Sequence, residues 1–308
     1  MNAHRPHSHH SGFTLVELVV ALVLTAIVIS LAAMFVSTPV DVYFAQSRRS
    51  GMSESADAIK RTMTNDLRQA LPNSVRIRVA GTRAIVEMLL AESGVTFYDD
   101  SPASAGSRRL DFTLADGQFD ALGKFPAALP HDGITDLTAN YHLVIDNSGT
   151  SGAGNAYAIT NAGSRVITPN NVRIKLMPPT APDDPEEHIT LAPAYRFRAP
   201  LDTSKRMFLV SGPVTYICNT AANTRALRRY AGYPITANIP TSEASAQLAA
   251  GTNSLVGRDV TACTLRCEAG STAPCNTALV IDISVSVATN GGNETLHVFM
   301  QHPLDNPP

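Results

Sequence analysis

The sequence predicts an α+β protein, in which one long N-terminal α-helix is followed by a β-rich globular domain. Three observations lead to this prediction. An almost wholly apolar run extends from Phe13 to Val36, a helical apolar face follows it as far as Leu71, and alternating apolar and polar residues recur from Val75 onward. With 308 residues, the chain is long enough for one large domain or two smaller ones.

The composition is that of a folded protein with little net charge. Lys and Arg number 24 against 26 Asp and Glu, and 44% of the residues are hydrophobic. Because basic and acidic residues nearly balance, the whole chain is neither a strongly basic nucleic-acid binder nor an acidic disordered tail, and we expect no nucleic-acid partner. Four of the nine histidines lie in residues 1–12 and the others are scattered singly, so we predict no metal site and no cofactor.

The apolar run predicts a helix that crosses a membrane. At a rise of 1.5 Å per residue, residues 13–36 would form a helix of about 36 Å, and the hydrocarbon core of a bilayer is about 30 Å thick. An ordinary membrane anchor and an uncleaved signal segment are the alternatives. A secretory signal has its small-residue cleavage site after the apolar run. Here the small pair Ser11-Gly12 precedes the run, and Pro39 with a further helical stretch follows it.

Glu17 is the only charged residue in this run. An ionised carboxylate in hydrocarbon costs a few kcal/mol, so it needs a partner, and the run contains no Lys or Arg. If the chain is cut between Gly12 and Phe13, the new α-amino group lies about one helical turn from Glu17. The amine of one copy could then neutralise Glu17 of its neighbour in a bundle of such helices.

The segment Gly12-Phe13-Thr14-Leu15-Val16-Glu17, followed directly by an unbroken apolar helix, resembles the N terminus of type IV pilins and type II secretion pseudopilins. The resemblance implies cleavage after Gly12 by a prepilin peptidase and N-methylation of Phe13. It also implies a role for Glu17 in docking and assembly.

The same resemblance divides the chain into four segments and places them in the cell. They are a cleaved cytoplasmic leader, a hydrophobic helix for the inner membrane and the filament core, an amphipathic helix, and a β-rich domain in the periplasm and then on the pilus surface: residues 1–12, 13–38, 39–71 and 72–308. The implied partners are the prepilin peptidase/methyltransferase, other major and minor pilin subunits, the inner membrane and its assembly platform.

An amphipathic helix is predicted after the apolar run. Apolar residues recur at steps of three and four, and charged residues lie between them on a face expected to be solvated. The apolar set is Met52, Ala56, Ile59, Met63, Leu67 and Ala70, and the charged set is Glu54, Asp57, Lys60, Arg61, Asp66 and Arg68. Leu71-Pro72 predicts the end of the helix, and we expect a kink or loosening near Pro39 and Ser50-Gly51.

Strands are predicted where apolar and polar residues alternate, and most of residues 91–165 is predicted as loop. The predicted strands are two within residues 75–90 around Gly81-Thr82, then 141–145, 172–177, 195–197, two within 206–218 around Ser211-Gly212-Pro213, and a hairpin of 278–288 with 294–301 joined at residues 290–293. The predicted architecture is therefore a long helix and a β-rich domain with irregular insertions.

Stretches beyond the N terminus are similar to the MshO-like minor pilins of the mannose-sensitive haemagglutinin (MSHA) system. They are residues 66–76, 208–210, 213–218, 227–230 and 301–308, the last only in part because a Val often found between Gln and His is missing. This resemblance implies a minor pilin that helps to initiate assembly at the filament tip. A minor pseudopilin of the J type has the same layout, and a membrane-anchored periplasmic adhesin or binding domain is a further alternative.

Four cysteines, Cys218, Cys263, Cys267 and Cys275, lie in the last third of the chain. Because the bacterial periplasm is oxidising, an even number of cysteines in this compartment predicts disulfides. Three pairings are open. A zinc site is the alternative, since Cys263 and Cys267 have nearly the spacing of zinc ligands.

The chain carries no G-x-S-x-G, H-E-x-x-H or P-loop signature, so we do not expect an enzyme. Four carboxylates, Asp183, Asp184, Glu186 and Glu187, flank a predicted loop at 178–185. A solvated loop is the favoured interpretation, and calcium binding through their oxygens is the alternative. Arg228-Arg229-Tyr230 combines basic and aromatic residues, as nucleic-acid-binding surfaces do. Two arginines in a net-acidic domain, however, provide little of the positive charge that such a surface needs.

Overall fold

The computed structural model describes residues 12, 14–98, 108–137, 140–152, 154–160, 163–201, 205–267, 275, 278–289 and 292–304. Helix α1 spans Leu15–Arg68. The strands of the described part are β1 (Arg76–Ala80), β2 (Arg83–Phe97), β3 (Asp116–Leu122), β4 (His142–Ile145), β5 (Arg173–Leu176), β6 (Glu186–Tyr195), β7 (Arg206–Asn219), β8 (Ala226–Ala231), β9 (Thr252–Arg258), β10 (Val260–Cys267), β11 (Ala278–Thr289) and β12 (Gly292–Pro303). A short 3₁₀ helix, Ala246–Ala250, precedes β9.

The chain divides into two compact units, residues 1–51 and 52–308. The described residues of the first unit form the N-terminal part of α1, and Leu15–Ala33 is long and apolar enough to cross a membrane. The backbone is helical at Pro39 and at Ser50-Gly51. The kink expected near these residues stays a prediction.

In the second unit, the last turns of α1 bury an apolar face against strands. Met52, Ile59, Met63 and Leu67 are buried, in one core cluster with residues of β1, β2, β7, β8 and β10–β12. The approach to β9 is so close that a Cβ atom at Gly257 would lie 2.6 Å from Cδ1 of Ile59. Glycine at this position therefore lets β9 and α1 come together.

The helix ends at Arg68, three residues earlier than predicted. The residues that follow leave the helix because they pair with β2. The Leu71 N–H donates to the Leu89 carbonyl at 2.8 Å, and the Ala91 N–H donates to the Gln69 carbonyl, also at 2.8 Å.

Asp66 was expected on the solvated face of the helix, and this expectation is wrong, since only 4% of the residue is exposed. Its carboxylate accepts hydrogen bonds from the Tyr216 hydroxyl at 2.5 Å and from Arg229 Nε at 2.6 Å. A buried carboxylate is tolerated where such partners are available, and both come from strands far along the chain.

A nine-stranded antiparallel sheet is the framework of this unit. Its path is β5-β6-β3-β2-β7-β8-β9, with β1 added to β2 and β4 added to β7. The two long central strands change neighbours along their length, so the sheet has two halves with separate cores. One core cluster faces α1, a second lies among β3–β6 and the adjoining ends of β2 and β7, and two smaller clusters contain further residues of the sheet.

Several strand predictions are confirmed. The two strands predicted around Gly81-Thr82 are formed and pair as a hairpin, with Ala80 opposite Arg83, and Gly81 has a positive φ of 59°, as a two-residue hairpin loop requires. The predicted strands 141–145 and 172–177 correspond to β4 and β5. The predicted C-terminal hairpin is formed by β11 and β12, and residues 290–291 of its connection lie outside the described residues.

Other strand predictions are wrong. Residues 206–218 belong to one strand, β7. The strand is not interrupted at Gly212 as expected, because its pairing with β2 continues across this point with shifts in register. Strand β2 continues to Phe97, and β3 lies in a region predicted as loop. The strand predicted at 195–197 is replaced by β6, which ends at Tyr195. These strands were missed because polar residues such as Asp120 and Glu187 occupy buried positions in them.

Strands β10, β11 and β12 form a second sheet in that order. Apolar residues of all three strands, among them Leu265, Ile281 and Met300, belong to the core cluster that contains the face of α1. This part of α1 therefore shares one apolar core with both sheets.

Candidate functional site

The predicted processing site lies at the start of α1. Gly12 is exposed, while Phe13 and the leader residues 1–11 lie outside the described residues. Thr14 immediately precedes the helix, and its Oγ1 accepts a hydrogen bond from the Glu17 N–H at 3.3 Å. Its carbonyl oxygen accepts the Leu18 N–H at 3.1 Å. Thr14 thus caps the helix through its hydroxyl oxygen.

Glu17 lies in the first turn of α1, where the helix dipole favours a negative charge. Among the described residues, none gives its carboxylate a hydrogen bond or an ion pair, and the residue is exposed. The carboxylate is therefore available to a partner outside this chain.

The surface around Glu17 is apolar and uncovered. No part of the Leu15–Ala33 window is buried by the described residues, and Leu15 and Val16 are 78% and 70% exposed. An apolar surface of this length is unfavourable in water and needs a lipid or protein environment.

The comparisons with known proteins bear on this segment. A family model described as a prokaryotic N-terminal methylation motif matches residues 7–33. The chain carries a prepilin-type N terminus. Such a motif implies processing by a prepilin peptidase and assembly with other pilin-type subunits, and the apolar helix is consistent with a membrane anchor. No curated protein and no solved structure matches the chain.

The four cysteines are brought into two pairs. Cys267 and Cys275 form a disulfide with a Cα–Cα distance of 5.2 Å. Cys218 and Cys263 are free thiols, and the proximity of Cys218 raises the pKa of the Cys263 thiol. The alternative zinc site at Cys263 and Cys267 is not formed, because Cys267 is already bonded to Cys275 and cannot act as a thiolate ligand.

The four carboxylates around residues 183–187 do not form a single site, and two of them are not in a solvated loop. Glu186 and Glu187 are buried in β6, where consecutive side chains point to opposite faces of the sheet. Glu187 accepts hydrogen bonds from the Phe125 N–H at 2.8 Å and from His131 Nε2 at 3.2 Å. The calcium alternative took the four carboxylates as one cluster, and the alternation of β6 places Glu186 and Glu187 on opposite faces of the sheet.

A different cluster lies on the Glu186 side of the sheet. Asp120, Glu186 and His188 each place one ligand atom within 4.8 Å of the others, which makes them a group that could hold a metal ion. His188 Nδ1 contacts Asp120 Oδ1 at 2.6 Å, and Nε2 contacts Asp184 Oδ2 at 2.8 Å. Both carboxylates accept, so both ring nitrogens donate and neither has a free lone pair for a metal. His188 in this cluster is therefore protonated on both ring nitrogens.

Electrostatics supports this protonation. Burial lowers the pKa of His188, but the hydrogen bonds to Asp120 and Asp184 outweigh it, so that the pKa is raised overall. A hydrogen bond from the Thr180 hydroxyl, with others from the Glu186 N–H and His188, lowers the pKa of Asp184. An imidazolium between two carboxylates therefore joins β3, β6 and the loop before β6.

Sequence reasoning missed this cluster because its members come from distant positions. The only local signal is the spacing of Glu186 and His188, which places both on one face of a strand. The arginines at 228 and 229, in contrast, are engaged within the fold: Arg229 binds Asp66, and Arg228 Nη1 donates to Asn253 Oδ1 at 3.0 Å.

Proposed function

We propose that the chain is a minor, non-enzymatic subunit of a type IV pilus of the MSHA type. It is cut after Gly12, N-methylated at Phe13 and incorporated at or near the tip of the filament, where it helps to initiate assembly. The observation that carries the proposal is a prepilin-type motif at the start of an exposed apolar helix, in which the Glu17 carboxylate has no partner among the described residues.

Charge and polarity together explain how this helix would assemble. In a bundle of pilin-type helices, the apolar side chains pack against one another, and Glu17 is the one charge to be neutralised. The α-amino group that cleavage creates at Phe13 of a neighbouring subunit has the opposite charge, and an ion pair in a low-dielectric bundle sets the axial position of the helices. The exposed carboxylate and its capped first turn support this role.

The size of the domain supports a minor subunit. The chain continues for 237 residues after Leu71, counted as 308 minus 71, which is more than one core of ordinary size requires. A domain of this bulk is easier to accommodate at the end of a thin filament than at every repeat. Its partners would be the prepilin peptidase/methyltransferase, the other pilins and the inner-membrane assembly platform, with the β-rich domain first in the periplasm and then at the cell surface.

The experiment is a Glu17→Ala substitution in the full chain at its own locus. Pili are sheared from the cells, and the amount of the protein is measured in the sheared and membrane fractions. We expect normal amounts in the membrane, loss from the sheared fraction and fewer pili. Thr25→Ala is the matched control, since Thr25 lies in the same exposed helix and its hydroxyl donates only to the Ala21 carbonyl within that helix.

Unchanged pilus number and unchanged incorporation of a stable Glu17→Ala protein would overturn the proposal. The same motif is found in pseudopilins, so protein secretion is measured in the same strains. Loss of secretion with normal pili would assign the chain to a secretion system and would also overturn the pilus assignment.

A further inference from the structure

Two cysteines outside the disulfide face each other between the two sheets. Cys218 lies in β7 of the nine-stranded sheet and is completely buried. Cys263 lies in β10 of the three-stranded sheet and is half-buried, and the neighbouring Cys218 raises the pKa of its thiol. Strands β7 and β10 are in contact, and both cysteines belong to or pack against the core cluster around α1.

The geometry also eliminates the alternative pairings. Cys263 and Cys267 are four residues apart on one strand, so their Cα atoms are about 13 Å apart. A disulfide requires less than about 7 Å, which rules out the pairing that joins them. Cys267 is instead bonded to Cys275, and Cys218 and Cys263 are then the remaining partners for each other.

We propose that Cys218 and Cys263 form a second disulfide, which links the nine-stranded sheet to the three-stranded sheet beside α1. The inference depends on the proposed location of the domain outside the inner membrane, where disulfides form and persist. It adds to the subunit proposal a covalent modification at a defined pair of atoms.

The oxidation is a thiol–disulfide exchange with a periplasmic protein that carries a reactive disulfide. One cysteine thiolate attacks that disulfide and forms a mixed disulfide, with release of one thiol of the oxidant. The thiolate of the second cysteine then attacks the first cysteine's sulfur and releases the other thiol. Two thiols of this chain become one disulfide, the oxidant takes up both electrons and becomes a dithiol, and the protons of the two cysteines end on the oxidant's sulfurs. Because Cys218 is completely buried in the fold, the exchange takes place before β10 closes over β7.

The positions of lysine and arginine make the test direct. The full chain is expressed with its own leader and extracted from membranes in a mild detergent. It is denatured in the presence of iodoacetamide, which alkylates free thiols, and without reductant, and is then digested with trypsin. Cleavage after Arg206, Arg225, Arg258 and Arg266 places Cys218 in peptide 207–225 and Cys263 in peptide 259–266, whereas Cys267 and Cys275 stay together in 267–308. The proposed pairing therefore gives a two-peptide species and a separate, internally bridged 267–308, whereas each of the other two pairings joins all three peptides in one species.

We expect peptide 207–225 linked to peptide 259–266, with 267–308 bridged internally, and both links lost on reduction. The proposal would be overturned if peptides 207–225 and 259–266 were recovered alkylated while 267–308 was bridged. The proposed periplasmic location would not be contradicted by that result. A link from 207–225 to 267–308 would overturn the pairing. Alkylation at all four cysteines would overturn the proposal together with the periplasmic location.

A Cys263→Ser variant provides the second arm. Peptide 207–225 should then be recovered alkylated, and peptide 267–308 should stay bridged. If peptide 207–225 in this variant is still recovered in a disulfide, Cys218 has another partner and the proposal is wrong.

Discussion

Asp66 connects the last turn of α1 to the nine-stranded sheet, and its removal tests how this part of the helix is held. Its carboxylate accepts the Tyr216 hydroxyl of β7 at 2.5 Å, and the Arg229 guanidinium of β8 donates from Nε at 2.6 Å and from Nη2 at 3.2 Å. Asp66→Ala would leave two donors without an acceptor. The Tyr216 side chain is completely buried, while a quarter of the Arg229 side chain is exposed.

The expected loss of stability follows from these exposures. A buried donor left without an acceptor costs about 1–3 kcal/mol, which applies to the Tyr216 hydroxyl. The Arg229 guanidinium can turn toward water, so the loss of its ion pair is discounted to about 1–2 kcal/mol. Asp66→Ala should therefore lower the free energy of unfolding by about 2–5 kcal/mol, and Tyr216→Phe, which removes only the donor, by about 1 kcal/mol.

Pulse proteolysis of the full chain in detergent across a urea series measures this free energy without a tryptophan, which the chain lacks. A double-mutant cycle of Asp66→Ala with Arg229→Ala should give a coupling energy of about 1–2 kcal/mol. A cost below about 1 kcal/mol for Asp66→Ala, or a coupling energy near zero, would refute the assignment of this contact as the link between helix and sheet.

Three further predictions concern other contacts. The stabilisation from protonated His188 should be complete below the unfolded pKa of about 6.5 and should be lost as the pH rises through the raised folded pKa. Hydrogen exchange in β3 of the native protein should therefore become faster from pH 6 to 9. In His188→Gln that pH-dependent increase should be absent after correction for intrinsic exchange, and an equal increase would contradict the prediction. Gly257→Ala places a methyl group 2.6 Å from a side-chain atom of α1 and should cost about 1–3 kcal/mol, whereas Gly117→Ala, with nothing nearer than 3.5 Å, should cost less in the same urea assay. A disulfide between Cys218 and Cys263 closes a loop with a separation of 45, counted as 263 minus 218, so reduction of that bond alone, mimicked by Cys263→Ser, should cost about 4 kcal/mol. An unchanged urea midpoint in Cys263→Ser would contradict it.

The sequence was sufficient for the N-terminal segment because its signals are local. A membrane-length apolar run, one carboxylate and a Gly-Phe pair are adjacent in the chain, and the helix predicted from residue 13 begins at Leu15. The strands around Gly81-Thr82 and the hairpin joined at residues 290–293 were predicted for the same reason, since a short turn signal lies between two alternating strands.

What the sequence did not reveal depends on partners far along the chain. Asp66 and Glu187 are charged and have polar neighbours in the sequence, so a local pattern assigns them to solvent. Asp66 is buried because Arg229 reaches it from 163 positions away, and Glu187 because Phe125 and His131 do so from 62 and 56 positions away. Likewise, spacing alone left three cysteine pairings open, and only the arrangement of β7 and β10 brings Cys218 to Cys263.

The central claim is that the chain is processed as a prepilin and enters a filament. The most direct test is mass spectrometry of the N-terminal tryptic peptide from sheared pili and, separately, from membranes. We predict a peptide that begins at N-methylated Phe13 and ends at Arg48 in the sheared fraction. An intact Met1 terminus in both fractions would contradict the account, because the amine that is to neutralise Glu17 would not exist and the helix would be a plain membrane anchor.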